Sequence, residues 1–439
     1  MLSKIKIDHL IITLNWLFIL FPLSFIAGSF VVNAHFLIFV LLGIFYLKKI
    51  NIKFKFDILF FIFSLFFLSL IISSFYNQFN IDKSFQYLRF LIFYLICFYL
   101  LKEKIFNLDK IFNFYALFVS IIIIDLIIQH FFGYNVIGLK IYNFPEDNID
   151  VATSFFQNEK IAGSFVQNFG FYLVFLVFYK FKKLNISNFI IKSFVISLIS
   201  FSIFISFQRM PMIIWIFFLS IYGIIYYKSK LLPILFSFVI LSFLIISFST
   251  KEIIISYNSF LDNIKKIETK TFENYDIIQD KKRYEAIKSD PNKISNFELG
   301  SGHASLYANA IFIWKENYII GVGYKNFYNN CVKKKLTRCS THPHNYYLDI
   351  LVSTGLFGFL MIISYLLILL SKIFLSLKIN LKAKNKKKND IIIFSSINFL
   401  MYFFPFKSSG SFFTSLNSTY MMIILVILIS QLHLKNKNK

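Results

Sequence analysis

The sequence alternates between long apolar runs and shorter polar connections. Twelve runs have the length and composition of α-helices that cross about 30 Å of hydrocarbon, although the second and the eleventh are short and the first pair allows more than one division. They cover residues 10–27, 31–47, 57–75, 83–101, 110–131, 161–179, 189–207, 211–227, 231–249, 345–370, 391–406 and 414–433. The pattern therefore predicts an all-α, polytopic membrane protein with about 12 transmembrane helices.

The polar connections differ in charge between the two sides of this topology. Lysine is concentrated in alternate connections, namely KKINIKFKFD, LKEKIFNLDK, KFKKLN, YKSK, LKINLKAKNKKKND and the C-terminal KNKNK. Because cytoplasmic loops of membrane proteins are enriched in Lys and Arg, these segments predict that both termini are cytoplasmic. The opposite side then receives two long segments, at about 132–160 and 250–344.

These segments divide the chain into three parts. Residues 1–249 hold the first nine transmembrane helices and the segment 132–160, and residues 250–344 form a large periplasmic loop. Residues 345–439 hold the last three helices, with a basic cytoplasmic loop at 371–390. Because a loop of this length is more often functional than a plain linker, we expect the chemistry of the protein on its non-cytoplasmic face.

The composition excludes an ordinary soluble domain. Hydrophobic residues make up 57% of the chain and 61 of the 439 residues are Phe, which is more apolar surface than a soluble fold buries. The 46 basic against 22 acidic residues would suggest nucleic acid as a partner of a soluble protein. Here most lysines lie in short loops, so we expect no nucleic-acid binding. The first apolar run is followed by another, which favours a retained helix over a cleaved signal peptide.

The four arginines, unlike the lysines of the alternate connections, all lie on the non-cytoplasmic side: Arg89, Arg209, Arg283 and Arg338. The planar guanidinium grips phosphate with two hydrogen bonds, so this distribution favours an anion-binding outer face. Arg209 precedes Pro211 in SFQRMPM, which predicts a helix N-terminus whose free N–H groups also favour an anion. Ordinary snorkelling or loop arginines are the alternative.

Two charged residues fall inside predicted spans. Arg89 lies about six residues inside its span, or roughly 9 Å along the helix, where an arginine usually faces a partner or a polar cavity. Asp125 lies toward the outer end of another apolar span. A buried acid in a membrane helix is a functional candidate, and pairing with Arg89 or Arg209 as structural support is at least as good an interpretation.

The segment CSTHPHNYYLDILVSTGLFGFL carries the strongest candidate for chemistry. Thr341 is expected to cap a helix and Pro343 to occupy an early position, which places His344 on the first turn at the membrane surface. Histidine accepts a proton from a hydroxyl near neutral pH, so His344 is a candidate general base. A purely structural or capping histidine is the alternative. Gly355 and Gly358 are expected to allow close helix packing.

Two cysteines precede this segment. Cys331 and Cys339 are candidates for a disulfide, because nearby cysteines outside the cytoplasm more often pair than remain free. Together with His342 and His344 they also have the residue types of a zinc site, which we consider the weaker hypothesis. The sequence therefore predicts no bound metal and no cofactor.

Taken together, these segments resemble a known family, the bacterial O-antigen ligase and O-antigen polymerase proteins. HPHNYYLDILVSTGLFGF is similar to the family's His-Asn-x-x-Leu helix start with its following Gly-x-x-Gly, and WKENYIIGVGYKNF to the stretch before it. SFQRMPM is similar to its Ser-x-x-Arg helix start, and FFQNEKIAGSFVQNFGFYL to its Gly-Ser start of a middle helix. IIDLIIQHFFGYNVIG and FPFKSSGSFF also resemble family segments, so the resemblance covers most of the chain.

The resemblance implies the multi-spanning glycosyltransferase fold in the bacterial inner membrane, with its active face in the periplasm. Such proteins transfer a glycan from a polyprenyl diphosphate to a hydroxyl without a metal. By resemblance, His344 assists the acceptor hydroxyl and Arg209 holds the donor diphosphate, with His342, Asn345 and Asp125 as possible supporting residues. Fixed cations stabilise the charge that develops on the leaving diphosphate, which agrees with the arginines on this face.

The sequence departs from the family at one position. Many members carry an arginine shortly before the Trp-containing helix, where GSGHASLYANAIFIW has His303. The second diphosphate contact is therefore open between His303, Arg283, Arg338 and Arg89.

The acceptor is also open. A ligase would use lipid A-core and a polymerase another lipid-linked repeat, while a third variant transfers the glycan to a protein. The expected partners are thus a polyprenyl diphosphate-linked glycan donor, one of these acceptors and membrane lipid. A transporter or flippase of lipid-linked glycans is the alternative from another class, and a non-enzymatic assembly protein is a weaker one.

Overall fold

The structure is a computed structural model that describes residues 2–51, 57–144, 149–181, 185–225, 227–250, 253–255, 257–258, 302–336, 338–382, 386–408 and 410–433. Its helices are α1 (Leu2–Ile19), α2 (Phe21–Ile26), α3 (Ser29–Lys49), α4 (Ile58–Tyr76), α5 (Ile81–Tyr87), α6 (Arg89–Lys102), α7 (Leu108–Phe132), α8 (Ala162–Lys180), α9 (Ile186–Ile205), α10 (Arg209–Ile225), α11 (Tyr227–Phe248), α12 (Gly302–Glu316), α13 (Phe327–Lys333), α14 (Tyr346–Lys382), α15 (Lys386–Tyr402) and α16 (Ser415–His433). A short antiparallel hairpin, β1 (Tyr142–Phe144) and β2 (Ile149–Val151), follows α7.

The protein is an all-α polytopic membrane protein, as predicted, and each predicted span coincides with a helix or a pair of helices. Within the described residues, nine helical segments are long and apolar enough to cross a membrane, so the count of twelve is not confirmed. The other three spans explain the difference. The first is broken near Pro22 into α1 and α2, α10 has only 17 residues, and α15 begins with the polar sequence KKKND.

The longest helix, α14, is broken in its membrane part. Gly355 has a φ of +65°, which interrupts the helical hydrogen bonds and leaves backbone groups free. The segment 318–323 fills this break: Val322 N–H donates to the carbonyl of Val352, and Leu356 N–H donates to the carbonyl of Tyr318, at 2.8 and 2.7 Å. Gly355 thus joins the outer loop to the membrane helices, beyond the close packing that the sequence predicts.

The C-terminal end of α4 secures the same junction. Ser73 Oγ donates to the carbonyl of Ser353 at 2.7 Å, and Asn77 Nδ2 donates to the carbonyl of Gly321 at 3.0 Å. Farther along α14, a Cβ on Gly358 would lie 2.4 Å from Ser69 Oγ, so only glycine allows this close approach to α4. Three regions distant in sequence therefore form one hydrogen-bonded unit at this end of the bundle, which we call the outer end.

A different cluster holds the opposite end of the bundle. Asp57 is the N-cap of α4, where its carboxylate accepts from Phe60 N–H at 3.0 Å. The same carboxylate contacts Lys372 Nζ of α14 at 2.8 Å and His433 Nε2 of α16 at 3.0 Å. One acidic side chain therefore ties three helices together where the sequence predicts the cytoplasmic side.

Asp125 and Gln129 of α7 organise the segment that follows this helix. The Asp125 carboxylate, 1% exposed, accepts from Val136 N–H at 2.9 Å and from Ser154 Oγ. Gln129 Oε1 accepts from the N–H groups of Thr153 and Ser154 at 2.8 and 2.6 Å. The described partners of Asp125 are thus groups of its own outer segment and not Arg89 or Arg209, which favours the structural interpretation of this acid.

Candidate functional site

Three histidines come together at the outer end of the bundle. The ring of His344, just before α14, lies 5.1 Å from the ring of His303 at the start of α12 and 4.2 Å from that of His342, measured between centroids. Weak polar contacts complete the group, with Ser340 Oγ and Ser408 Oγ each 3.4 Å from the Nε2 of His344 and His303, respectively. His303, at the position where the resemblance predicts an arginine, therefore lies directly beside His344.

His344 is held in an unusual backbone conformation. Its φ is +58°, in the left-handed region that side chains other than glycine rarely adopt. The helix begins two residues later, and its cap is Asn345, whose Oδ1 accepts from Tyr347 N–H at 3.0 Å and Leu348 N–H at 3.2 Å. The expectation that Thr341 caps the helix and that His344 lies on its first turn is wrong. Such strain is typical of functional positions, because the surrounding structure must maintain it.

The connection between α15 and α16, residues 403–414, packs against this helix start. Asn345 Nδ2 donates to the carbonyl of Pro405 at 2.7 Å and, more weakly, to the carbonyl of Lys407 at 3.5 Å. One turn farther along α14, the buried Asp349 carboxylate accepts from Ser411 Oγ at 2.7 Å and from Phe412 N–H at 2.9 Å. We call residues 403–408 and 410–414 the clamp loop, because these bonds fix it against the start of α14, next to His344.

The surroundings lower the pKa of the two facing histidines. Withdrawal from water lowers the pKa of His344 below 6.5, and the positive charge of the neighbouring His303 lowers it further. Partial desolvation also lowers the pKa of His303, although its side chain retains solvent contact. His344 is therefore neutral near pH 7 and has a ring nitrogen able to accept a proton.

Arg209 is the first residue of α10, as the Pro211 pattern predicts. Its guanidinium lies over the ring of Phe207, 4.9 Å from the centroid, and Lys160 Nζ lies 5.8 Å from the same centroid. Phe207 itself has a φ of +57° in the tight turn between α9 and α10. Two cations thus flank one ring at a helix N-terminus, an arrangement that attracts anions.

The Gly-Ser start of α8 fixes the position of this turn. Gln208 Oε1 accepts from both the N–H and the hydroxyl of Ser164, the latter at 2.8 Å. A Cβ on Gly163 would lie 2.1 Å from Ser206 Oγ, so a larger residue here would displace the side chain of Ser206. The motif in IAGSF therefore acts by positioning the residue next to Arg209.

Arg89 begins α6 after a break in the predicted span at Leu88. Its Nη2 donates to Asn33 Oδ1 at 2.7 Å and to Ser415 Oγ at 2.9 Å, and its guanidinium lies 5.1 Å from the ring centroid of Phe90. These hydrogen-bond partners are neutral and belong to the ends of other helices. Arg89 thus joins α3, α6 and the start of α16 and retains its full positive charge.

The remaining candidates lie in the outer loop. Cys331 and Cys339, which are eight residues apart in sequence, form a disulfide just before His342 and His344. Arg338 is exposed, and Arg283 lies outside the described residues. In the part of the chain that the structure describes, no three His, Cys, Asp or Glu side chains come together in a metal-binding arrangement.

Comparison with known proteins places this geometry in a family. Residues 194–363 match the family described as O-antigen ligase. This stretch contains Arg209, His303 and His344, and the resemblance predicted from the sequence is confirmed. Residues 194–363, less than half of the chain, form a segment similar to the O-antigen ligase family, which we call the O-antigen ligase domain. No curated protein matches the chain.

The O-antigen ligase domain begins within α9 and ends within α14, so it includes the outer loop and the broken helix. The match supports an enzyme with glycosyltransferase activity of the O-antigen ligase type in general, with lipid-linked glycan and lipid A-core as the general classes of partner. Arg89, Asp125 and the clamp loop lie outside the match. Of these, the clamp loop was missed as a functional element because its bonds to Asn345 and Asp349 cross about sixty positions of sequence.

Proposed function

We propose that the protein is a glycosyltransferase that moves a glycan from a polyprenyl diphosphate carrier to a hydroxyl acceptor on the periplasmic face of the bacterial inner membrane. The acceptor is lipid A-core if the enzyme is an O-antigen ligase, or another lipid-linked repeat if it is a polymerase. Both termini are cytoplasmic in this proposal, and residues 250–344 form the periplasmic loop between the nine-helix and three-helix parts. The transfer uses no metal.

One observation carries the proposal: a neutral, strained His344 faces His303 at the outer end of the bundle, within the O-antigen ligase domain. The acceptor hydroxyl attacks the anomeric carbon of the donor sugar and gives its proton to a ring nitrogen of His344. The bond from that carbon to the diphosphate oxygen breaks, and the diphosphate leaves with the carrier. Fixed cations stabilise its developing charge.

The cations have different assigned roles. Arg209, at the N-terminus of α10, holds the donor diphosphate with its planar fork and the nearby helix N–H groups. Arg89 is the proposed second contact, since its described hydrogen-bond partners are neutral. Asn345 positions His344 through the cap of α14, and His342 packs beside its ring.

The first experiment replaces His344 with Ala in the full-length protein. We expect loss of glycan transfer by about 100- to 10,000-fold, which is the usual contribution of a positioned general base. Surface polysaccharide is examined by gel, and transfer is measured with purified enzyme. His130→Ala is the matched control, because His130 lies at the C-terminal end of α7 and bonds to the carbonyl of Phe248 instead.

Wild-type glycan from a correctly inserted H344A variant would refute the catalytic role. A clean gene deletion distinguishes the two acceptors: loss of all attached polysaccharide indicates a ligase, whereas attachment of a single repeat indicates a polymerase. Unchanged transfer after chelation is expected if the reaction uses no metal.

A further inference from the structure

Lys407, in the clamp loop, is a buried cation at the outer end of the bundle. Its side chain is 6% exposed, and its Nζ lies 5.4 Å from the ring centroid of Tyr402, which is itself 1% exposed. The sequence offers no hint of this burial, because the lysine of FPFKSSGSFF lies in a short polar connection where lysines are normally solvated.

No carboxylate pairs with this lysine among the residues that the structure describes. Burial lowers the pKa of Lys407 to about 8, so the amine still carries its charge at neutral pH. The tyrosine ring attracts the cation but satisfies none of the three N–H donors by a conventional hydrogen bond. A buried ammonium without an anionic partner is costly, and proteins retain such groups chiefly where a ligand supplies the missing charge.

The backbone at Lys407 and Ser408 lies close to two candidate histidines, His344 and His303. The carbonyl of Lys407 accepts from Asn345 Nδ2, next to His344, and the following residue, Ser408, contacts His303. The ring of Tyr402 lies 5.2 Å from that of Tyr346, the first residue of α14. The backbone that carries this cation therefore lies beside the histidine site.

We propose that Lys407 binds a phosphate oxygen of the polyprenyl diphosphate donor beside His344. The assignment rests on the proposed function and adds a residue to it. It supplies a cation on the side of the site where His303 replaces the family's arginine. Lys407 is then a further diphosphate contact at the histidine cluster, in addition to Arg209 and Arg89.

The experiment measures binding of undecaprenyl diphosphate to the purified full-length protein in detergent, for wild type, Lys407→Met and Lys407→Arg. Methionine preserves the length and apolar contacts of the stem and removes the charge. We expect Lys407→Met to weaken binding by about 10- to 100-fold, the value of one charge-assisted hydrogen bond, and Lys407→Arg to retain most of it. Lys333→Met, on the exposed side of α13, is the matched control and leaves binding unchanged.

A parallel titration with diphosphoryl lipid A tests the other source of phosphate. Weaker binding of lipid A alone by Lys407→Met would overturn the assignment to the donor. Wild-type affinity of a folded Lys407→Met variant for undecaprenyl diphosphate would overturn it as well.

Thermal unfolding separates a ligand-binding lysine from a structural one. Because Lys407→Met removes an uncompensated buried charge, its Tm is expected to equal or exceed that of the wild type. A lower Tm would assign the lysine a structural role and overturn the proposal. Failure of the wild type to bind undecaprenyl diphosphate would refute the proposed function itself. If Arg209→Met weakens binding and Lys407→Met does not, only the present inference fails.

Discussion

The charged side chains at the two ends of the helical bundle have different kinds of partners. At the end predicted to be cytoplasmic, Asp57 balances Lys372 and His433 and caps α4, so that its lone pairs meet fixed donors. At the outer end, Arg89 has neutral hydrogen-bond partners and Lys407 is buried against a tyrosine ring. The first arrangement is complete without a ligand, whereas Arg89 and Lys407 have no carboxylate partner among the described residues, although the buried acids Asp125 and Asp349 lie at the same end.

This difference separates structural charges from functional ones. Paired charges within a protein fix the relative positions of helices and leave little potential for a ligand. Cations held by neutral groups retain their field and favour an anion that binds later. Two backbone distortions, the left-handed residue His344 and the helix break at Gly355, also lie at the outer end. The comparison yields four predictions.

The largest effect is expected at the helix break. Gly355→Ala places a methyl group 2.2 Å from the carbonyl oxygen of Ile319 at a φ of +65°, so the junction between α14 and segment 318–323 has to open. We expect a loss of at least about 3 kcal/mol in the free energy of unfolding. Gly133→Ala, also left-handed but with nothing within 4 Å, is the control and should cost about 1 kcal/mol. Equal melting temperatures for the two variants would contradict this prediction.

A smaller effect is expected at the opposite end. Asp57→Asn keeps the helix cap but removes the charge that holds Lys372 and His433, which should cost about 1 kcal/mol for partly exposed pairs and leave glycan transfer unchanged. A marked loss of transfer by a stable variant would show that this end takes part in function.

The same residue predicts how stability depends on pH. Burial alone would raise the pKa of Asp57, but hydrogen bonds from His433 and Lys372 outweigh it, and the net shift is downward from 3.8. The ionised carboxylate therefore stabilises the fold above pH 3.8, and this contribution is lost as the pH falls below that value. Asp57→Asn should flatten this part of the pH–stability curve.

The smallest effect concerns the pH profile of transfer. Since His344 must be neutral to accept a proton, activity should fall on the acid side, below its ordinary pKa of 6.5. His303→Gln removes the neighbouring positive charge, which raises the pKa of His344. The acid limb of the pH–activity profile, where activity falls with falling pH, should then move upward by about half a pH unit. His130→Gln should leave the limb in place. A limb that stays fixed in His303→Gln would mean that the two rings do not interact electrostatically.

Hydropathy patterns predicted the helices well, because each span must satisfy its own backbone within lipid. They did not predict the shortness of α10 or the polar start of α15, since packing against neighbouring helices, and not length alone, holds such segments in place. Short motifs predicted the N-terminal position of Arg209 correctly. They failed at Thr341, because Asn345 is the better-placed cap once the clamp loop fixes its side chain.

The parts of the site that sequence could not reveal depend on distant pairing. In the sequence, Asp349 is an ordinary acidic residue in the first turn of a helix. In the structure, its carboxylate accepts hydrogen bonds from Ser411 and Phe412 of the clamp loop. Lys407 lies in a short polar connection of the sequence, but in the structure its side chain is buried and lies against the ring of Tyr402. The Gly355 motif suggested close packing, whereas the insertion of segment 318–323 into the helix depends on backbone geometry that composition does not encode.

The hydrogen bonds at both ends of the bundle also constrain the order in which the protein can mature. Ser73 bonds to a residue 280 positions later, Arg89 to one 326 positions later, and Asp57 to one 376 positions later. The helices that are synthesised first can therefore form these contacts only after the last helices have been synthesised. Contacts so distant in sequence slow assembly. A chain that stops before α16 would lack Ser415, one of the two hydrogen-bond partners of Arg89, and His433, one of the partners of Asp57, so both clusters are complete only once α16 has been synthesised.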